Sequence, residues 1–138
     1  MNGAYAWQGS EMGRIRILHV DDEPDIRKVV QLSLGLDPDF SVRSCASGRD
    51  ALAAIADWSP DLVLLDVMMP DMDGPTTLAR LRERPATIEV PIVFMTARAE
   101  TSDIEHYMSL GAAGVIAKPF DPMTLPSRAR EYASRSLG

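Results

Sequence analysis

The chain has 138 residues, a formal net charge of −6 and a pI near 4.8, which argues against a nucleic-acid binder that relies on a basic field. Its 46% hydrophobic and 25% charged residues are ordinary for one soluble globular domain. Apolar runs of five or six residues are far too short to span a membrane, the start lacks a secretory pattern, and the lone Cys45 permits no intrachain disulfide, so a cytoplasmic setting is expected.

Residues 1–13 are rich in small and polar types and read as a loosely held leader, with Met12 as an alternative start. Its aromatic pair, Tyr5 and Trp7, either docks on the body or stays mobile. From Arg14 onward, strand and helix signals alternate about five times, the pattern of a parallel sheet covered on both faces. The first strand is predicted over 14–20, followed by a helix opened by Pro24, with Ile26, Val29, Val30 and Leu34 at helical spacing. Asp37-Pro38-Asp39 breaks the chain before a second strand, Phe40 to Cys45. A helix then runs from Ser47-Gly48 through Ala51, Leu52, Ile55 and Trp58 to a stop at Ser59-Pro60. The third strand is predicted over 61–65, apolar after Asp61 and without alternation, as expected of a central strand buried on both faces.

A loop over 68–74 leads to Pro75, which restarts a helix with Leu78 and Leu81 inward. The fourth strand follows Pro91, and a helix near 100–110 carries Ile104 and Met108 spaced i, i+4. Gly111 and Gly114 bracket the passage into a fifth strand, and Pro126 is expected to keep the last helix short, over 126–135. Two arginine sets, Arg80/Arg82/Arg84 and Arg128/Arg130/Arg135, read as solvated helix faces, since neither is interleaved with aromatics.

Four of the apolar runs stop at chemistry-bearing residues: Asp21-Asp22, Asp66, Thr96-Ala97 and Lys118-Pro119. Parallel strands bring their carboxyl ends to one edge of the sheet, where ligands bind in open α/β folds. Each residue alone has an ordinary reading: a helix cap for Asp21-Asp22, a turn residue for Asp66, a strand-end hydroxyl for Thr96, a solvated lysine for Lys118. Their joint placement makes that reading of the whole set poor. Two like charges about 5 Å apart repel by roughly 3 kcal/mol at an effective dielectric near 20, so three ionised carboxylates need a cation. Oxygen-only donors in a partly hydrated site suit Mg²⁺. Lys118 adds a fixed positive charge, which pairs with a carboxylate at rest or with an anionic group attached there. The set fits phosphoryl transfer to a carboxylate, with Thr96 donating to a phosphoryl oxygen.

Other sites are unsupported. His19, inside the first strand, reads as a buried core histidine and His106 as a solvated helical one. Two distant histidines and one cysteine make no zinc cluster, and no Walker A loop or GxGxxG is present. Met68, Met69 and Met72 imply loop packing or a soft contact surface.

At these residues the chain closely resembles the receiver domain of bacterial two-component response regulators. The matching stretches are Ile17-Leu18-His19-Val20-Asp21-Asp22-Glu23, Leu65-Asp66-Val67-Met68-Met69-Pro70-Asp71-Met72-Asp73-Gly74, Met95-Thr96-Ala97 and Gly114-Val115-Ile116-Ala117-Lys118-Pro119-Phe120. The likeness covers about residues 14–135 and implies a doubly wound, flavodoxin-like α/β domain over 14–138 with strand order 2-1-3-4-5. It implies that Asp66 accepts a phosphoryl group from a phosphohistidine on a sensor histidine kinase or phosphotransfer protein. Asp22 and Asp66 would bind Mg²⁺, Asp21 mainly through water, with the Met68 backbone carbonyl as a further ligand. Thr96 would swing toward the acyl phosphate, Lys118 would pair with it, and the Lys118-Pro119 bond would be cis. Glu23 would cap the next helix or contact the metal's waters.

Many receivers carry an aromatic three residues before the lysine; here that position is Val115, which puts an aromatic-gated switch in doubt. The nearby Tyr107 and Phe120 read as packing residues. Met68 and Arg98, two residues beyond Asp66 and Thr96, flank the path of a hydrolytic water without activating it, so slow self-dephosphorylation is expected. The leading expectation is a stand-alone phosphoacceptor module, a monomer or weak dimer rather than an enzyme. Its fourth helix, fifth strand and fifth helix would bind an unspecified downstream protein, with no direct contact to nucleic acid or membrane. The alternatives are a phosphorylation-independent receiver-like module, against which the intact Asp22, Asp66, Thr96 and Lys118 speak, and a haloacid-dehalogenase-like phosphatase. The latter needs an acid where Met68 stands and a cap for which there is no room.

Overall fold

The computed structural model describes residues 13–137. The leader assigned to residues 1–13, with Tyr5, Trp7 and Met12, lies outside the described residues apart from Gly13. The strands are β1 (Ile15–Val20), β2 (Phe40–Cys45), β3 (Leu62–Asp66), β4 (Ile92–Thr96) and β5 (Gly114–Ala117). Between and after them run α1 (Pro24–Leu34), α2 (Gly48–Ala54), α3 (Gly74–Leu81), α4 (Thr101–Ser109) and α5 (Leu125–Leu137). All neighbouring strands are parallel, in the order β2-β1-β3-β4-β5. This is the doubly wound, flavodoxin-like architecture expected from the resemblance.

Side chains alternate across the pleat, so each strand feeds two cores. On one face Leu18, Val20, Val63, Leu65 and Phe94 pack with Ile55, Leu78 and Leu81. On the other, Ile17, Leu62, Leu64, Val93, Met95 and Ile116 pack with Val30, Leu34, Leu125 and Ala129. The central strands β3 and β4 are buried at every position, which is why their sequences do not alternate. Side chains cap helix starts: Ser47 accepts from the Asp50 N–H at 3.1 Å, Asp73 from the Thr76 N–H at 2.9 Å, and Asp103 in the first turn of α4 from the Glu100 N–H at 3.2 Å. Pro24 and Pro75 sit in first turns, where a missing N–H costs nothing.

Several expectations shift. The second helix ends at Ala54 with Ile55 as its cap, so Trp58 lies beyond it. There the indole is buried, with the Arg43 and Arg16 guanidinium carbons 4.7 and 5.8 Å from its ring centroid. On α4, Ile104 and Met108 are largely at the surface, and Tyr107 is the buried residue, its ring 5.2 Å from that of Phe94. Tyr107 thus packs, as expected, and Phe120 packs against the opposite core. Pro126 does not shorten α5, because it falls in the first turn of a 13-residue helix.

The arginine sets are not simply solvated faces. Arg82 is half-buried and donates to the Thr87 carbonyl at 2.9 Å, the Val90 carbonyl at 2.6 Å and the Gly111 carbonyl at 3.2 Å. Arg130 pairs with Asp37 and Asp39 at 2.6 and 2.9 Å and lies 5.4 Å from the Phe40 ring. Orphan loop carbonyls and turn carboxylates, invisible to helical periodicity, recruit both side chains.

Candidate functional site

The first, third, fourth and fifth strands end side by side, so parallel register carries Asp21-Asp22, Asp66, Thr96 and Lys118 to one edge. Met95 is registered with Asp66, and Ala117 with Thr96. Asp21, Asp22 and Asp66 each present a carboxylate oxygen within 4.8 Å of the others. Lys118 Nζ bridges two of them, donating to Asp21 Oδ2 at 2.7 Å and Asp66 Oδ1 at 3.1 Å. The Lys118-Pro119 peptide is cis. A cavity of about 220 Å³ opens here, lined by Asp66, Thr96, Lys118, Glu23, Met68 and Arg98 among others.

Asp21 is fully buried and already committed. Its Oδ1 accepts from the Glu23 N–H at 2.9 Å, its Oδ2 from Lys118, and its backbone carbonyl from Arg27 at 2.8 Å. Asp22 is only half-buried. Among the described residues Asp66 Oδ2 receives no hydrogen bond, which leaves one carboxylate oxygen free beside the cavity. Thr96 Oγ1 accepts from the Arg98 N–H at 3.0 Å, and its own hydrogen stays available to donate. Glu23 stands at the N-cap position of α1, but its side chain makes no capping hydrogen bond. It faces the cavity instead, which overturns the capping reading.

The electrostatics follow from one lysine serving several acids. Burial, then the Asp21 charge, push the Asp66 carboxyl up to about 6; Lys118 opposes the shift and Asp22 adds to it. Burial works against the Lys118 charge, but its hydrogen bonds and proximity to Asp21 and Asp66 hold it above the ordinary lysine value. Both partners of the Lys118–Asp66 pair thus shift upward. This is consistent because Asp21 takes the shorter contact and leaves Asp66 under-compensated. Three oxygen donors with too little positive charge among them are a donor set that fits a hard divalent cation.

Beneath this layer lies His19, fully buried, with neither ring nitrogen hydrogen-bonded. Burial pushes it down to about 4 against the opposing pull of Asp21, so it is a neutral core residue, as expected from its strand position. His106 is exposed on α4. Two contributors escape motif reading. Arg27 reaches back from α1 to the Asp21 carbonyl, a contact set by tertiary placement. Gly74 lies so close under the end of β3 that a Cβ there would collide with the Asp66 carbonyl oxygen and sit 2.8 Å from Val67 Cα. The Asp73-Gly74 dipeptide signals a turn, but not that close approach.

Comparison with known proteins gives one consistent result. The family model for the response regulator receiver domain matches residues 17–130. Response regulator Rre1 of Synechocystis sp. is 38% identical over 121 residues, covering 88% of this chain and 52% of the relative. Transcriptional regulatory protein DltR of Streptococcus agalactiae is 40% identical over 116 residues, covering 84% of this chain and 50% of its own length. The chain thus spans about half the length of these curated relatives. Among solved structures, Vibrio cholerae chemotaxis protein CheY4 aligns with a TM-score of 0.79 at 30% identity, covering 86% of this chain and 98% of that one. A response regulator from Chloroflexus aurantiacus aligns with a TM-score of 0.80 at 34% identity, covering 88% and 99%. The chain therefore belongs to the response regulator receiver domain family of two-component signalling.

Proposed function

We propose that Asp66 accepts a phosphoryl group from a phosphohistidine on a sensor histidine kinase or phosphotransfer protein. One observation carries the reading: Lys118 bridges Asp21 and Asp66 at the cavity wall, and among the described residues one Asp66 oxygen receives no hydrogen bond. That oxygen attacks phosphorus in line. The O–P bond forms as the P–N bond breaks, and the donor imidazole keeps the electron pair and takes a proton from solvent. A carboxyl held near 6 is ionised at neutral pH and competent to attack. Lys118 then passes one hydrogen bond from Asp66 to a phosphoryl oxygen, and the free hydrogen of Thr96 donates to another. Asp22 and Asp66, with the Met68 carbonyl, would hold Mg²⁺, and Asp21 would reach it through water; the ion would neutralise charge on the phosphoryl oxygens.

The added charge of about −1.5 to −2 biases a two-state equilibrium that is read out by a protein-binding face formed by α4, β5 and α5. Val115 is half-buried and packs against the core cluster that contains Phe94 and Tyr107, so no aromatic rotor stands at that position of β5. Met68 and Arg98 flank the acyl phosphate without a base for water, and self-dephosphorylation is slow.

Incubation with acetyl phosphate and Mg²⁺, followed by intact-mass measurement, tests the reading. Wild type gains one phosphoryl group and Asp66→Asn gains none; an unmodified wild type points to a phosphorylation-independent module. Decay on removal of the donor takes minutes or longer. A half-life of seconds overturns the slow-hydrolysis part alone.

A further inference from the structure

Building on the phosphoacceptor reading, we propose that the Met68 thioether is an oxidation site whose sulfoxide shortens the life of the acyl phosphate on Asp66. Met68 stands two residues past Asp66, in the loop after β3, and is 71% exposed, whereas Met69 and Met95 are buried. It lines two cavities at once. One is the cavity beside Asp66, shared with Thr96, Arg98 and Lys118. The other, of about 490 Å³, is walled mainly by Val67, Met69, Pro70 and Pro75. A flexible, weakly accepting thioether suits the apolar cavity and brings almost no polarity to the one at Asp66.

Oxidation reverses that balance. A sulfur lone pair attacks one oxygen of hydrogen peroxide, the S–O bond forms as the O–O bond breaks, and the departing hydroxide takes the proton of the transferred oxygen and leaves as water. Sulfur is oxidised by two electrons and the peroxide reduced. The S=O group that results is a polar acceptor, costly to bury among Val67, Pro70 and Pro75 and suited to the donors on the other side. Among the described residues Arg98 makes its hydrogen bond through the backbone N–H to Thr96, which leaves its exposed guanidinium without an acceptor. A water between the sulfoxide oxygen and that guanidinium donates to the first and accepts from the second, and is held on the path to phosphorus. The thioether offers no such acceptor. Attack by the oriented water forms one P–O bond and breaks the bond to Asp66, which returns as a carboxylate while inorganic phosphate departs.

Mild hydrogen peroxide treatment of the full chain, with peptide mass mapping of the one-oxygen gain at Met68, prepares the test. Acetyl phosphate and Mg²⁺ then load the protein, the donor is removed, and loss of the phosphoryl mass is timed. Oxidised wild type is expected to decay several-fold faster than untreated protein, and methionine sulfoxide reductase should restore the slow decay. Met68→Leu, compared with its own untreated sample, should show no peroxide effect. Met108→Leu/Met123→Leu, which removes the other exposed methionines among the described residues, should keep it. No oxygen gain at Met68, unchanged or slower decay despite that gain, or acceleration that survives in Met68→Leu each overturns the proposal. An untreated protein that takes up no phosphoryl group overturns the phosphoacceptor reading itself, and this proposal with it.

Discussion

The two edges of the sheet use charge in opposite ways. At the amino edge Arg130 holds Asp37 and Asp39, Arg82 satisfies the Thr87, Val90 and Gly111 carbonyls, and Asp61 accepts the Arg16 N–H at 2.8 Å. There the acids and bases serve to close loops. At the carboxyl edge Lys118 bridges Asp21 and Asp66, with Asp22 alongside, and burial and the neighbouring acids still push the Asp66 carboxyl up to about 6. The same chemistry thus stabilises one edge and leaves the other short of positive charge, a donor set that fits a divalent cation. Strain of this kind concentrates at functional sites.

The largest expected break comes from removing the one lysine. Lys118→Met leaves two buried carboxylates without their shared cation and is expected to cost about 3–5 kcal/mol in metal-free buffer. Urea unfolding with and without Mg²⁺ checks this: the divalent ion should restore more stability to the variant than it adds to wild type. Equal increments would mean that the lysine does not offset the acidic charge.

Asp66→Asn should act in the other direction. A carboxyl raised from 3.8 to about 6 favours folding below pH 3.8 and loses that contribution as pH rises through about 6, so at pH 7 its ionised form carries the full penalty. Replacing it by an amide is expected to stabilise the metal-free protein by up to about 3 kcal/mol. A destabilised Asp66→Asn protein would place Asp66 among the supporting residues instead.

His19 gives an acid slope of similar size. Its folded value near 4 lies below the ordinary 6.5, so the neutral core is favoured above pH 6.5 and the advantage, about 3 kcal/mol, is lost as pH falls through 4. Between pH 4 and 6 the Asp66 contribution runs oppositely, so the slope is cleanest in the Asp66→Asn background. Denaturant midpoints at pH 7.5, 6 and 5 should fall there and stay level once His19→Leu is added. The smallest effect is at the paired edge: Arg82→Met strands carbonyls at a cost of about 1–3 kcal/mol and leaves acetyl phosphate labelling unchanged. Loss of labelling in that variant would show that the two edges are coupled.

Much of this was legible in residue order. Asp21-Asp22, Asp66, Thr96 and Lys118 each close an apolar run, and a parallel sheet has only one edge to which strand ends of one polarity can go. The uninterrupted apolar character of Leu62–Leu65 and Ile92–Met95 marked strands covered on both faces. The strand order came from the family resemblance, since periodicity is silent on which strands are neighbours. Helix faces were less legible. Spacing alone cannot rank Ile104 and Met108 against Tyr107, because the winner depends on what Phe94 presents across the gap. Arg82 and Arg130 read as solvent-facing charge because their partners are backbone carbonyls and turn carboxylates, which helical spacing does not reveal.

Local order along the chain was enough to determine the alternating elements, the buried central strands and the identity of the acidic and basic groups at the strand ends. Which acid pairs most tightly with Lys118, which oxygen of Asp66 stays free and where Glu23 turns were decided only in three dimensions. The physical reason is that hydrophobic patterning is a property of neighbouring residues. Hydrogen-bond allocation and desolvation depend on distances of a few tenths of an ångström between segments that meet only after folding.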